Sequence, residues 1–305
     1  MALPTRQDDS GLPGLPALRE ACRIFGADPA EARPLHRRSN AVYLLPRDHL
    51  VARLAPDTPV RRRRARISVE VTRWLDTQPE PIALAPMPGE QPVVAAGAVA
   101  TFWPHRPTTP APSPADLAVP LRRLHTLPAP PFPIPRYTPL QRLFEAVDLD
   151  RDRARPVVAD DDRAWLLDRA HALVDIFTTT SFPLGEGLVH ADAHSENLVR
   201  DADHGHWLLI DWDNACLGPR ELDLLTGIPD HFHDPEAERT RFLAAYGRNI
   251  LDWPRWTLLR DITELRALGA YIRLAPGKPA AAAELRHRIR SLRTGDRSAR
   301  WSAIP

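Results

Sequence analysis

The side chains best suited to chemistry fall in one stretch. It reads Leu188-Val-His190-Ala-Asp192-Ala-His194-Ser-Glu196-Asn197-Leu-Val-Arg200, then a polar turn with Gly205, then His206-Trp-Leu-Leu-Ile210-Asp211-Trp-Asp213. Two apolar runs joined by a polar turn with a glycine predict a β-hairpin. Antiparallel pairing sets the start of one strand against the end of the other, so Asn197 and Asp211 should lie side by side. Asp192 precedes the first strand by one loop. Two carboxylates and a carboxamide thus meet at one sheet end, and all offer the hard oxygen ligands that Mg²⁺ selects. Asp213 either joins them as a ligand or caps the following loop. A second chemistry is open: His190, Asp192, His194, Asp211 and Asp213 could serve a metal-dependent hydrolase through Zn²⁺ or Mn²⁺, which would leave Asn197 without a role.

The elements that must position these residues are legible on both sides. Residues 1–16 are rich in Gly and Pro and read as disordered, and a short helix over 17–25 stops at Gly26. Residues 40–45 and 49–54 form a hairpin around Pro46-Arg47-Asp48. Arg61 to Arg64 read as a solvated loop. Ile67, Val71, Trp74 and Leu75 then recur at helical spacing, with Glu70 placed on the same face. A second hairpin, 92–96 and 98–103, turns at Gly97. The N-terminal part is therefore ββ-helix-ββ, and a boundary at 104 separates it from a proline-rich, then helical, remainder. That remainder has helices over 115–127, with Ser113 as cap and a kink at Pro120, and over 161–178, 235–246, 255–274 and 280–292.

Motif and elements together resemble the aminoglycoside phosphotransferase family, also called the choline-kinase-like kinases. That family's His-x-Asp-x-x-x-x-Asn motif, followed by a strand ending in Asp, stands here as His190, Asp192, Asn197 and Asp211. Ile210-Asp211-Trp212-Asp213 in place of Asp-Phe-Gly is similar to the small-molecule kinases, and Leu217-Gly-Pro-Arg-Glu-Leu-Asp223-Leu matches the family's Gly-Pro turn into a helix carrying an Asp. The resemblance covers residues 35–275. It implies an α+β, two-lobed protein-kinase-like fold: a small N-terminal antiparallel-sheet lobe over 1–104 that binds nucleotide, and a larger helical C-terminal lobe over 105–305 for catalysis and substrate.

The same resemblance implies ATP, or another nucleoside triphosphate, and Mg²⁺. Asp192 would position and deprotonate an acceptor hydroxyl, and Asn197, Asp211 and Asp213 would hold the metal. Ser39 and Asn40 occupy the phosphate-covering turn, Arg53 presents charge to the phosphates, and Glu70 is its helix partner. The adenine would lie against the 101–105 backbone, at Phe102, Trp103 and His105, because Pro104 lacks an amide hydrogen. His190 and His194 would hold the loop, since phosphoryl transfer of this type needs no imidazole base. The sequence departs from the pattern at Arg53, where the family has lysine, and at Ala191, where glycine is commoner. Arg53 gives a catalytically weak or inactive nucleotide-binding pseudokinase as the alternative function.

Composition narrows the remaining classes. The 305 residues contain a single lysine, Lys278, so no Gly-Lys-Ser/Thr nucleotide loop exists. Cys22 and Cys216 cannot build a disulfide framework. A formal charge of +1 gives no electrostatic reason for a nucleic-acid or membrane partner, and no apolar run is long enough to span a bilayer, so a cytoplasmic protein with a small-molecule hydroxyl substrate is expected. The oligomeric state is left open. Residues 228–275, the expected substrate wall, hold seven acidic residues and seven arginines. A polycation would be met by clustered carboxylates, so the balance points to a small hydroxylated metabolite or natural product, with Asp230 and Glu264 as contacts. Trp253, Trp256 and Tyr271 add aromatic surface or core.

Overall fold

The structure is a computed structural model that describes residues 11–37, 39–106, 108–201, 205–227 and 236–304. Its elements run α1 (Leu15–Phe25), β1 (Arg33–Arg37), β2 (Ala41–Leu45), β3 (Leu50–Pro56), α2 (Pro59–Asp76), β4 (Val93–Ala95) and β5 (Ala98–Pro104). They continue α3 (Pro114–Leu124), α4 (Gln141–Arg151), α5 (Asp160–Thr178), β6 (Glu186–Val189), β7 (Leu198–Arg200), β8 (Trp207–Leu209) and β9 (Cys216–Pro219). The last are α6 (Glu221–Gly227), α7 (Glu236–Tyr246), α8 (Trp256–Leu274) and α9 (Pro279–Thr294). They divide into two compact units that are discontinuous in sequence. Unit 1 comprises residues 1–113, 130–134 and 195–215, and unit 2 the rest.

Unit 1 is an antiparallel sheet in the order β1-β2-β3-β5-β4. Alternation along β3 buries Leu50, Ala52 and Leu54 on one face, which leaves Arg53 on the other. Helix α1 covers the apolar face with Leu18, Ala21 and Cys22, and Phe25 stacks on Phe102 with centroids 4.1 Å apart. The start of α2 differs from the sequence expectation. Thr58 caps it by accepting from the Arg61 amide (3.2 Å) and Pro59 opens the first turn, so Arg61 to Arg64 are helical and not a loop. A hydroxyl cap followed by proline is a strong start signal, and arginine is a good helix former. Strand β1 was not expected either. Its first four residues are exposed, as at a sheet edge, so it lacks the alternation that marks a strand. The β7–β8 hairpin, with Leu198 opposite Leu209, completes the unit and is anchored by Leu209 bonding to Ile82 and Leu84.

Unit 2 is helical around one strand pair, β6–β9. Its core is built from α8 (Leu259, Ile262, Leu265, Leu268, Ile272) against α4 (Leu143, Ala146, Val147) and α5 (Leu166, Ala170, Leu173). Gly269 lets α8 approach α4 closely, because a Cβ there would stand 3.2 Å from the Arg142 carbonyl oxygen. Gly218 on β9 is required for a similar reason: a Cβ would come within 2.9 Å of the Tyr137 Cβ. Truncating a leucine such as Leu268, which is wholly buried, to alanine would cost about 2–5 kcal/mol. No helix among the described residues is long and apolar enough to cross a membrane.

Candidate active site

In unit 1, four charged and polar side chains close on one another. The β7–β8 hairpin sets the Asn197 carbonyl to accept from the Ile210 amide (3.0 Å), which brings Asn197 beside Asp211 as the spacing predicts. Asp211 then adopts a left-handed backbone (φ 66°), a conformation that Asp tolerates better than most residues. The chain turns at once through Trp212, which is fully buried and donates from its indole nitrogen to the Leu209 carbonyl (3.1 Å). With Trp212 pinned, Asp211 and Asp213 both reach the guanidinium of Arg53. Nη1 donates to Asp213 Oδ1 (2.9 Å), and Nη2 donates to Asp211 Oδ1 (2.6 Å) and Asp213 Oδ2 (2.8 Å). Asn40, with its carboxamide oxygen turned toward Arg53, accepts from Nε (3.0 Å) and Nη2 (2.6 Å). Burial opposes the arginine's charge, yet Asp213 and Asp211 hold its pKa above the ordinary value.

The donor set suits a hard cation, because the two carboxylates already converge on one positive group. Asp211, Asp213 and Asn197 are the residues that would hold Mg²⁺. Among the described residues no group of three or more His, Cys, Asp or Glu is placed to hold a metal ion. Cysteine chemistry is also absent from the site. Burial pushes the Cys216 thiol up to about 12, so it stays protonated at neutral pH.

In unit 2, Asp192 follows β6 through a turn that is held from two sides. Ala191 takes a left-handed conformation (φ 60°), where glycine would be unstrained. Asp223, on α6 and fully buried, accepts from the amides of His190 (2.8 Å) and Ala191 (2.7 Å). His125 backs it, with Nε2 at 3.2 Å from Asp223 and Nδ1 at 2.8 Å from the Tyr246 hydroxyl. Arg266 of α8 donates to the Ala191 carbonyl (2.7 Å). Asp192 itself keeps 39% of its side chain exposed.

A family model described as the phosphotransferase enzyme family matches residues 31–259. The chain belongs to this family. A choline/ethanolamine kinase family protein from Mesorhizobium loti is similar in structure, with a TM-score of 0.64, 16% identity, and 92% of this chain and 96% of that one covered. The aminoglycoside phosphotransferase APH(3'')-Id from Streptomyces rimosus gives 0.55, 21% identity, and 82% and 98% coverage. The spectinomycin phosphotransferase APH(9)-Ia, in complex with ADP and spectinomycin, gives 0.57, 17% identity, and 90% and 92% coverage. These likenesses show the kinase-like α+β fold. Among curated proteins no sequence matches this chain.

Against this phosphotransferase framework, several expected residues stand elsewhere. Glu70 does not pair with Arg53: it is exposed, and the buried face of α2 carries Ser68, Val71, Thr72 and Leu75. The partners of Arg53 are instead 158 and 160 residues further along the chain. Phe102 is wholly buried under Phe25, its amide donates to Gln91 Oε1 (2.7 Å) and its carbonyl accepts from Met87 (2.9 Å), so neither ring nor backbone is open to an adenine. On its other edge this stretch of β5 pairs with β3, whereas β4 pairs only with residues 98–100. The exposed His105 likewise commits its amide, to His49 (2.8 Å). Trp103 packs with Leu84, Val199, Leu208 and Ile210 in a small apolar patch. Ser39 is exposed before the buried Asn40, and Asn40 serves Arg53 in this structure. Glu264 is tied to Arg297 (2.5 Å), and burial raises its pKa against that arginine's pull. Asp230 lies outside the described residues. Trp253 and Tyr271 join the unit 2 core, and Trp256 lies under the Arg260 guanidinium at 5.3 Å. Asp223 was legible only as a family helix Asp. His125 and Arg266 carried no signal at all, because a lone basic residue in a helix has no period to betray it.

Proposed function

We propose that this protein transfers the γ-phosphate of ATP, or another nucleoside triphosphate, to a hydroxyl of a small molecule, in a Mg²⁺-dependent reaction. The observation that carries the reading is the convergence of Asp211 and Asp213 on one cationic group beside Asn40. A structural ion pair needs one carboxylate; two carboxylates and a carboxamide around one guanidinium make a site built to handle concentrated charge. The spectinomycin phosphotransferase with bound ADP supports the use of a nucleotide.

In this mechanism Arg53, Asn197, Asp211 and Asp213 supply the nucleotide and metal groups and Asp192 the base. Asp192 accepts the acceptor's hydroxyl proton as that oxygen bonds to the γ-phosphorus, and the bond from phosphorus to the β,γ-bridging oxygen breaks. Asp223 and the Ala191 turn keep the Asp192 carboxylate in place. Mg²⁺ held by Asn197, Asp211 and Asp213 would neutralise charge on the phosphate oxygens. Arg53 then gives up part of its carboxylate contacts and turns its remaining donors to phosphate. The protein acts in the cytoplasm on a small molecule and needs neither nucleic acid nor membrane, in keeping with its charge of +1.

The test has two readings. Titration with ATP and Mg²⁺ should raise the melting temperature, and an ATP-consumption screen over hydroxylated compounds should find a turned-over acceptor. A melting shift without turnover of any acceptor would favour the pseudokinase, and no shift at all would sink both.

A further inference from the structure

The acidic residues of α8 are already matched by arginines. Asp261 accepts from Arg169 (2.7 Å), Arg260 (2.7 Å) and Arg297 (3.3 Å), and Glu264 accepts from Arg297. Neither carboxylate is left to receive a cationic substrate. Arg266 on the same helix is bound differently. Its Nη1 donates to the Ala191 carbonyl, which fixes the plane of the guanidinium, while Nη2 stands 3.7 Å from Asp192 Oδ1. That is ion-pair range but too long for a hydrogen bond, so Asp192 offsets the arginine's charge while Nη2 makes no hydrogen bond to it. Both side chains keep part of their surface exposed, 27% for Arg266 and 39% for Asp192.

We propose that Asp192 and Arg266 form a two-point acceptor site for an alcohol that carries a carboxylate two or three bonds from the reacting hydroxyl. This rests on the phosphotransferase reading above and narrows its acceptor to hydroxy acids. Asp192 takes the hydroxyl, and the planar guanidinium beside it takes the carboxylate, whose geometry matches an arginine fork. The separation of the two protein groups is comparable to that of the hydroxyl and carboxylate oxygens in a small hydroxy acid. An ammonium in the same place would face Arg266, a like-charge contact that selects against it. Arg266 has a second consequence: through the Ala191 carbonyl it braces the turn that presents Asp192.

Glycerate, glycerol and 3-aminopropane-1,2-diol have comparable hydroxyls and differ in charge, so they test the site directly. Each is given to the full chain with ATP and Mg²⁺ and followed by product formation, and each is titrated by thermal shift with ADP and Mg²⁺. Glycerate should be used with a kcat/KM about tenfold or more above the other two, and should raise the melting temperature most. Arg266→Gln should abolish that preference by raising KM for glycerate more than it lowers kcat, and Arg266→Lys should restore part of it. The proposal is overturned if the aminodiol equals glycerate in either readout, if no probe shifts the melting temperature, or if Arg266→Gln leaves the preference intact. Turnover of other alcohols in those cases would leave the phosphotransferase reading standing. A protein that shows no melting shift with ATP and Mg²⁺ loses that reading and the acceptor site with it.

Discussion

Unit 1 and unit 2 hold their functional carboxylates by different means. Asp211 and Asp213 converge on Arg53, a long side chain that a rotamer change can withdraw. Asp223 binds the amides of His190 and Ala191, which only a rebuilt loop could remove. The first arrangement is adjustable and the second is fixed. The proposed reaction would call for this division: charge would be redistributed where metal and phosphates arrive, whereas a base works only if its position is already set.

The largest expected effect lies at the tip of the fixed region. Asp192→Asn keeps the shape of the side chain and removes its ability to accept a proton, so phosphate transfer should fall by about 10²–10⁴-fold. Nucleotide affinity should hold, because the side chains proposed to meet the phosphates belong to unit 1. Single-turnover kinetics with a matched ATP titration separates the two, and transfer at the original rate would remove Asp192 as the base.

Asp223→Ala should come next, and should act on stability as well as rate. It leaves two buried amides and His125 without their acceptor, a loss of about 2–5 kcal/mol measured by urea denaturation. Rate should fall with it because Ala191 is held in a left-handed conformation that its own backbone disfavours. If stability fell and the rate per folded molecule did not, the turn would be self-supporting and the comparison between the units would fail on this side.

Arg53 tests the adjustable region, with effects of opposite sign. Arg53→Ala removes the cation between Asp211 and Asp213, so Mg²⁺ alone should bind roughly tenfold tighter, about 1.4 kcal/mol. ATP use should weaken in the same variant. Arg53→Lys should fall between, since an ammonium is a point charge that cannot span both carboxylates and Asn40 together. Weaker Mg²⁺ binding in Arg53→Ala would mean that the arginine organises the carboxylates and does not compete for them.

The two regions were also unequally legible in the sequence. Asn197 and Asp211 were readable as neighbours because a hairpin converts spacing into register, and β7 and β8 follow it. The long helices α5, α8 and α9 show their apolar faces directly. Contacts that depend on a charged side chain reaching across the fold leave no such trace: nothing near Arg53 in sequence indicates Asp213, and nothing near Asp192 indicates Arg266. Helix α4 leaves little trace because only three of its apolar residues, Leu143, Ala146 and Val147, are buried, among Arg, Asp and Glu. The 101–105 strand misled for another reason. Its residues have the right types for an adenine contact, but pairing with β3 on one edge and, at Phe102, Gln91 and Met87 on the other take their backbone groups.

The smallest expected effect is at Glu70, and it sharpens the comparison because the family resemblance assigns that residue a place beside Arg53. At 3.6 residues per turn, Glu70 points about 150° away from the centre of the buried arc formed by Ile67, Ser68, Val69, Val71, Thr72 and Leu75. The sequence pattern misplaced it because Ile67, Val71 and Trp74 suggest a face that includes position 70, whereas Trp74 is only partly buried and the packed side turns toward Ser68 and Thr72. Arg53 therefore has its counter-charge from the turn that follows β8, with no need of the helix. Glu70→Ala should change stability by no more than about 0.5 kcal/mol, and should leave kcat and the ATP concentration dependence unchanged. A loss of ATP use in that variant, similar to that of Arg53→Ala, would show that Arg53 exchanges Asp211 and Asp213 for Glu70 during turnover, and the adjustable region would then include α2.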